Sequence, residues 1–401
     1  MVSLRARTLG ATFVTLALAY GVWYSYAVFL VALLREFGWS RTVVAGGFSL
    51  FTLVHGTASF PIGWLSDRVG PRRLVLGGGL VLAAALALDG AVTRPWQLYL
   101  AFGVATAVGV AAAGWVPAAV LVQRWFPERV GTALGLTSAG IGVGIFLVVP
   151  LCQWLIELAG WRWAFRILGG LVLAWVVPAT LWLVRDPPAA GARAAGPPAG
   201  GGDVTLGGAV GTARFWLLGA APVFCAFATQ MLLVHQAAYL VDHGLPALVA
   251  ASVVSVVGLS SIVGKTGGGW ASDTFGREPT FSFGMACVVA SVAVLGLLAL
   301  TGATAWAFLY GALVGVGYSV TAPLMPAVIS DLYRGRNFGV IFGALHVANA
   351  VGGSSGPWVA GRVFDATGSY AAAFTGAVAA AALSTGALWL VAPRRARRAG
   401  S

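Results

Sequence analysis

The sequence predicts an all-α membrane protein whose twelve transmembrane helices form two pseudo-symmetric six-helix bundles. Three observations carry this prediction. Of 401 residues, 59% are hydrophobic and 9% are charged, whereas soluble globular chains carry roughly 25% charged residues. Apolar runs of spanning length, ~20 residues each, consume nearly the whole chain and leave no room for a sizeable soluble domain. Short motifs also recur about half a chain apart. This composition excludes a soluble enzyme, a secreted disulfide scaffold and a disordered protein.

In order, the first-half spans read 9–33, 43–65, 74–93, 97–122, 130–156 and 163–184. The second-half spans read 214–240, 247–270, 280–301, 304–329, 338–361 and 370–392. The first run follows Arg5 and Arg7 and exceeds the 7–15-residue core of a signal peptide, so it reads as a retained span. Residues 185–213 are rich in Pro, Gly and Ala and cannot build a core, which makes them a flexible linker between a 1–184 bundle and a 214–401 bundle. With the N-terminus inside, seventeen arginines fall on cytoplasmic segments and six on the opposite side. That asymmetry places both termini in the cytoplasm.

The halves repeat. GWLSD at Gly63–Asp67 returns as GWASD at Gly269–Asp273, 206 residues later, and the pattern after Gly38 returns after Gly244 at the same displacement. LWLV at Leu181–Val184 returns at Leu388–Val391, displaced by 207. Three matches at nearly one displacement argue for internal duplication. Two six-helix bundles in parallel orientation are one architecture of secondary transporters, with substrate held near the midplane.

The net charge of +12 sits in short loops and tails, without the basic, aromatic-interleaved stripe of a nucleic-acid binder. Cys152, Cys225 and Cys287 lie in apolar runs without CxxC spacing and read as buried small hydrophobes. No nucleophile–base pair, metal cluster or phosphate loop stands out, so neither an enzyme nor a cofactor is expected.

GWLSDRVGPRR at Gly63–Arg73 resembles the loop 2–3 signature of the major facilitator superfamily, and GWASDTFGRE resembles its loop 8–9 counterpart. The expected fold is accordingly the major facilitator fold. Asp67, Arg68, Arg72, Arg129, Asp273 and Arg277 then become gating candidates: each Asp caps a helix and pairs with nearby arginines to latch the cytoplasmic side. The bland alternative is a solvated basic loop that fixes topology. WFPERVGTALGLTSAGIGVG at Trp125–Gly144 is similar to the fifth-helix signature of monocarboxylate transporters and their oxalate/formate-type relatives. Arg129, Gly135, Ala139, Gly140 and Gly144 fall at matching positions, and YGVWYSYAVF at Tyr20–Phe29 resembles bacterial members of that group. Val130 stands where the usual second arginine would be.

Lys265 is the one lysine in the chain. It precedes Asp273 by eight residues, roughly 12 Å inside the loop at 1.5 Å per residue. A lysine at that depth costs about 2.5–3.5 kcal/mol on insertion scales, so it needs a partner or a wet cavity. The resemblance implies that it is the carboxylate anchor, since monocarboxylate transporters carry a cation at this spacing. The alternative is snorkelling to the headgroups. Where the family often has an Asp one turn earlier, this chain has Ser261. His346 falls within about a residue of a second buried lysine of oxalate/formate-type relatives, and one lysine plus an imidazole suits a monoanion. His55 and His235 are weaker candidates, better read as packing residues. Trp115, Tyr318, Asn349 and Tyr24 complete the candidate pocket, with Tyr20 and Tyr26 behind them; the competing reading is helix packing or a headgroup belt.

These residues imply a proton-coupled symporter of small monocarboxylates of the lactate or pyruvate kind, working as a monomer in a bacterial inner membrane. The alternatives are an organic anion exchanger and an exporter of amphipathic compounds. A transport-dead receptor finds no support in the sequence. A coupling proton could ride on the substrate carboxyl, Lys265 or His346.

Overall fold

A computed structural model describes residues 4–126, 130–186, 204–333 and 338–391. Among them every regular element is helical, and twelve long helices appear where the apolar runs stand. Spans 1 to 6 are Leu4–Phe37, Arg41–Val69, Pro71–Asp89, Pro95–Trp125, Val130–Ala159 and Trp161–Leu183. Spans 7 to 12 are Ala213–Asp242, Ala247–Thr274, Arg277–Thr301, Thr304–Leu332, Phe338–Thr367 and Ala371–Val391. Eleven of these are long and apolar enough to cross a membrane, and span 11 is the twelfth long helix. Broad apolar side chains such as Phe60, Trp182, Leu300 and Leu390 are exposed along the spans, as a surface bathed in lipid requires. The protein is an integral, multi-pass membrane protein.

The chain divides into two compact units. The first comprises Met1–Ala194 with Leu233–Leu259, and the second comprises Ala195–Leu232 with Ser260–Ser401. Segment 233–259 joins the first unit through identifiable contacts. Arg41 meets both carboxylate oxygens of Asp242 at 2.8 and 2.7 Å, and Gly258 abuts span 5, where a methyl would fall 2.7 Å from Ile145 Cβ.

The duplication is visible in the backbone. Gly38 and Gly244 turn between spans at positive φ, as do Gly70 and Gly276, each pair 206 residues apart. Only glycine takes such angles without strain. Helix contacts repeat as well. A methyl at Gly144 of span 5 would lie 2.0 Å from the carbonyl oxygen of Ala17 on span 1. In the second unit, one at Gly352 of span 11 would lie 2.0 Å from that of Val223 on span 7. Glycine four residues away, Gly140 in one unit and Gly356 in the other, extends each seam. Small residues at this spacing let backbones touch, the usual means of association between spanning helices. Of the fifth-helix glycines, Gly140 and Gly144 therefore pack helices, whereas a methyl at Gly135 would meet nothing within 4 Å among the described residues. Cys152, Cys225 and Cys287 are free and buried.

Span 4 departs from regular helix twice. Tyr99–Thr106 is π-helical, and the helix breaks at Gly114 (φ −94°, ψ −141°) before resuming at Trp115. Pro117, three residues past the break, cannot donate to the carbonyl of Ala113.

Candidate functional site

The predicted site residues fall into both units. In the second, Lys265 sits half-buried on span 8, nine residues before its end at Thr274, with no hydrogen bond or ion pair among the described residues. Two glycines set its position. At Gly264 a methyl would lie 2.0 Å from Ser319 Oγ and 2.8 Å from the Val316 carbonyl, and at Gly268 it would lie 3.1 Å from Val320 Cα. Span 8 is therefore pressed onto span 10 on either side of Lys265. Ser261, one turn earlier, and Ser319 are both fully buried, while Tyr318 is half-buried on span 10. On span 11 the exposed His346 ring stacks on Phe342 with centroids 6.1 Å apart, and Asn349 is half-buried. An ammonium without a counter-ion among the described residues, inside a spanning helix, is suited to binding an anion.

The first unit gathers aromatic side chains instead. Trp23 contacts His55 edge-on at 4.5 Å and Phe51 at 4.8 Å, and stacks with Tyr20 at 5.6 Å and Tyr24 at 6.1 Å. Tyr20 also reaches span 4: a methyl at Gly114, just before the resumed helix, would fall 3.6 Å from Tyr20 Cε2. The break at Gly114 thus opens beside this cluster. His55 and Trp23 are 9% and 7% exposed. Sequence reasoning singled out the tyrosines, Trp115 and His55 but missed Trp23, which joins them; 32 residues separate Trp23 from His55 in the chain. His235 is fully buried.

Of the gating candidates, the Asp67 side chain and Arg129 lie outside the described residues. Arg277, at the start of span 9, bonds Asp273 and Ser272 at 2.6 Å each and Asp331 at 3.1 Å. It ties the ends of spans 8 and 10 together within the second unit. Asp331 went unnoticed in the sequence because it lies 54 residues from Arg277. Arg72 does different work in the first unit. It donates to the carbonyls of Thr180 and Leu181 at 2.6 and 3.0 Å, and its backbone N–H donates to Asp186 at 3.2 Å. A cation there satisfies the orphan carbonyls at the end of span 6. Arg68 lies over the Trp64 ring, 3.9 Å from its centroid.

Known proteins resemble this chain in sequence and in fold. The family model of the Major Facilitator Superfamily matches residues 12–357 and 268–400. Monocarboxylate transporter 13 of Bos taurus is 29% identical over 89% of this chain and 82% of its own length. Monocarboxylate transporter 3 of Rattus norvegicus is 31% identical over 90% of this chain and 74% of its own. The oxalate:formate antiporter of Oxalobacter formigenes is 28% identical over 85% of this chain and 81% of its own. In fold, the chain is similar to a bacterial homologue of the human lysosomal transporter Spinster in an inward-facing, unoccupied conformation. The TM-score is 0.73 at 18% identity, covering 99% of this chain and 98% of that one. By its family match, its relatives and its fold, the chain belongs to the Major Facilitator Superfamily of transporters.

Proposed function

We propose that the chain carries a small monocarboxylate across the bilayer by alternating access, together with a proton. The observation that carries this reading is Lys265: the one lysine of the sequence, inside span 8, without a partner among the described residues, on a helix held by Gly264 and Gly268. An ammonium in such a place attracts a carboxylate far more strongly than it would in water. Relatives named monocarboxylate transporters support the same substrate class. With Lys265, the substrate-binding residues of this reading are Ser261, Tyr318, His346, Asn349, Trp115 and Tyr24. The bundles are 1–184 and 214–401, with the linker and both termini in the cytoplasm of a bacterial inner membrane, and the chain works as a monomer. Asp67, Arg68, Arg72, Arg129, Asp273 and Arg277 control the cytoplasmic gate.

The likeness to an oxalate:formate antiporter supports a second reading, exchange of organic anions. One lysine within the span favours monoanions over a dianion in either case. Uptake of a panel of labelled organic acids into proteoliposomes decides. Symport requires accumulation driven by an inward proton gradient, whereas exchange requires uptake only when the vesicles are preloaded with anion. No transport of any small carboxylate in either format would overturn both readings.

A further inference from the structure

A carboxyl group that is none of the candidates above lies buried in the first unit. Asp89 ends span 3 and is 1% exposed. One oxygen accepts a hydrogen bond from Thr106 Oγ1 at 2.8 Å; the other meets no donor among the described residues. Four other acids of the chain meet a cation: Asp242 meets Arg41, Glu36 meets Arg162, and Asp273 and Asp331 meet Arg277. Among the described residues no arginine or lysine pairs with Asp89.

The surroundings of Asp89 contain titratable groups, and each is committed elsewhere. From span 1, the Tyr26 hydroxyl donates to the carbonyl of Val44 at 2.5 Å. From span 4, the Tyr99 hydroxyl donates to that of Val43 at 3.0 Å. From span 6, Arg166 donates to the Gly90 carbonyl at 3.3 Å, and Arg162 pairs with Glu36 at 2.6 Å. Span 2 offers the two accepting carbonyls, and its Arg41 is bound to Asp242. Two features of the fold add to the case. Asp89 occupies the last turn of its helix, whose carbonyls carry partial negative charge and repel a carboxylate. Its partner Thr106 closes the π-helical segment of span 4, a deviation that occurs often at functional sites.

An ionised carboxylate here would bury a full charge against one neutral hydroxyl and a hostile helix end. A neutral acid needs one partner, and Thr106 can serve it as donor or acceptor. We propose that Asp89 is a proton-binding site, holding its carboxyl as the neutral acid, with Thr106 as its hydrogen-bond partner. Proton exchange at this site requires the seam between spans 3 and 4 to part at the π-helical segment and admit water. The site is independent of the reading of Lys265 and holds whichever anion the chain carries.

Infrared spectroscopy of the full chain in lipid bilayers at neutral pH tests this, because the C=O stretch of a protonated carboxyl stands apart from that of a carboxylate. The wild-type spectrum should contain such a band, moving to lower frequency in heavy water and missing from Asp89→Asn. Thr106→Val should keep the band and raise its frequency, because the hydrogen bond is gone. The Thr106→Val measurement decides alone should Asp89→Asn fail to fold. The proposal is overturned if wild type shows no protonated-carboxyl band at neutral pH. It is equally overturned if the band survives Asp89→Asn unchanged, or if Thr106→Val leaves its frequency where it was.

Discussion

Spans 2 and 8 are one element built twice, and they differ where ionisable chemistry is placed. Both end in the same Gly-Trp-x-Ser-Asp motif, 206 residues apart. At that displacement Ser59 corresponds to Lys265, and His55 corresponds to Ser261. In span 2 the Ser59 hydroxyl donates to its own helix, to the His55 carbonyl at 2.8 Å, and His55 packs against Trp23. In span 8 the same place holds an ammonium with no protein partner among the described residues. Duplication thus preserved the turns and the glycine seams while the polar positions diverged. A scaffold under packing constraints tolerates little change, whereas a site can specialise in one copy once the other supplies shape.

The largest effect should follow from erasing that difference. Lys265→Ser, which gives span 8 the side chain of span 2, and Lys265→Gln should both abolish concentrative uptake of small carboxylates in proteoliposomes. Ser59→Ala should leave uptake close to that of the parent. Lys265→Arg should retain binding but lose proton coupling, because a guanidinium does not give up its proton in proteins. Parental accumulation by Lys265→Gln would return the lysine to the headgroup region and remove the anchor.

The asymmetry of the two arginines comes next. Arg277 and Asp331 have side chains 12% and 7% exposed, and breaking a buried pair by removing one partner costs about 3–5 kcal/mol. Arg277→Gln should lower the unfolding midpoint of the purified protein markedly. Arg72→Gln, which removes bonds to two helix-end carbonyls, should cost less, on the order of 1.5–3 kcal/mol for hydrogen bonds to a charged group. Equal losses would mean that the two loops are held alike.

Much of this was legible in the sequence, for reasons that also explain what was not. Apolar runs bounded by Gly, Pro and Arg gave span limits within a few residues of the observed helices, as for 304–329 against Thr304–Leu332. The bilayer forces every backbone group to pair within its own helix, so length and hydropathy almost suffice. The repeat and Lys265 stood out through motif and rarity. Partnerships between helices did not: nothing in the local pattern joins Arg277 to Asp331, or Trp23 to His55. The sequence places every acid near a span end, yet Asp89 is 1% exposed there, against Thr106 of span 4. Depth along a helix is written in the sequence, but enclosure by neighbours is not.

The glycine seams offer the test in which the two units should agree. Gly144→Ala and Gly352→Ala each place a methyl 2.0 Å from a backbone carbonyl oxygen, which no side-chain rotation relieves. Overpacking of this kind costs about 1–3 kcal/mol. Both variants should therefore lose thermal stability by similar amounts. A large loss in one and none in the other would show that the seams are not equivalent, despite their identical approach.

The smallest effect should come from the exposed ion pair of the first unit, Arg162 with Glu36, whose side chains are 36% and 45% exposed. Their separation is 2.6 Å, as short as the Arg277–Asp273 contact, so distance alone would rank the two pairs together. Water and salt rank them apart. Exposed pairs contribute about 0.2–1 kcal/mol because solvent screens the charges and ordering the side chains costs entropy. Arg162 also has other anchors: its guanidinium lies 4.3 Å from the Trp161 ring centroid and 5.6 Å from that of Phe37. Glu36→Gln leaves that stacking intact and should shift the unfolding midpoint barely at all, with any shift shrinking as salt is raised. Arg162→Ala removes the stacking as well as the charge and should cost more than Glu36→Gln. If Glu36→Gln instead matched Arg277→Gln, the pair would have to be shielded from water in the membrane-embedded protein, and solvent exposure would no longer explain the contrast between the two ion pairs.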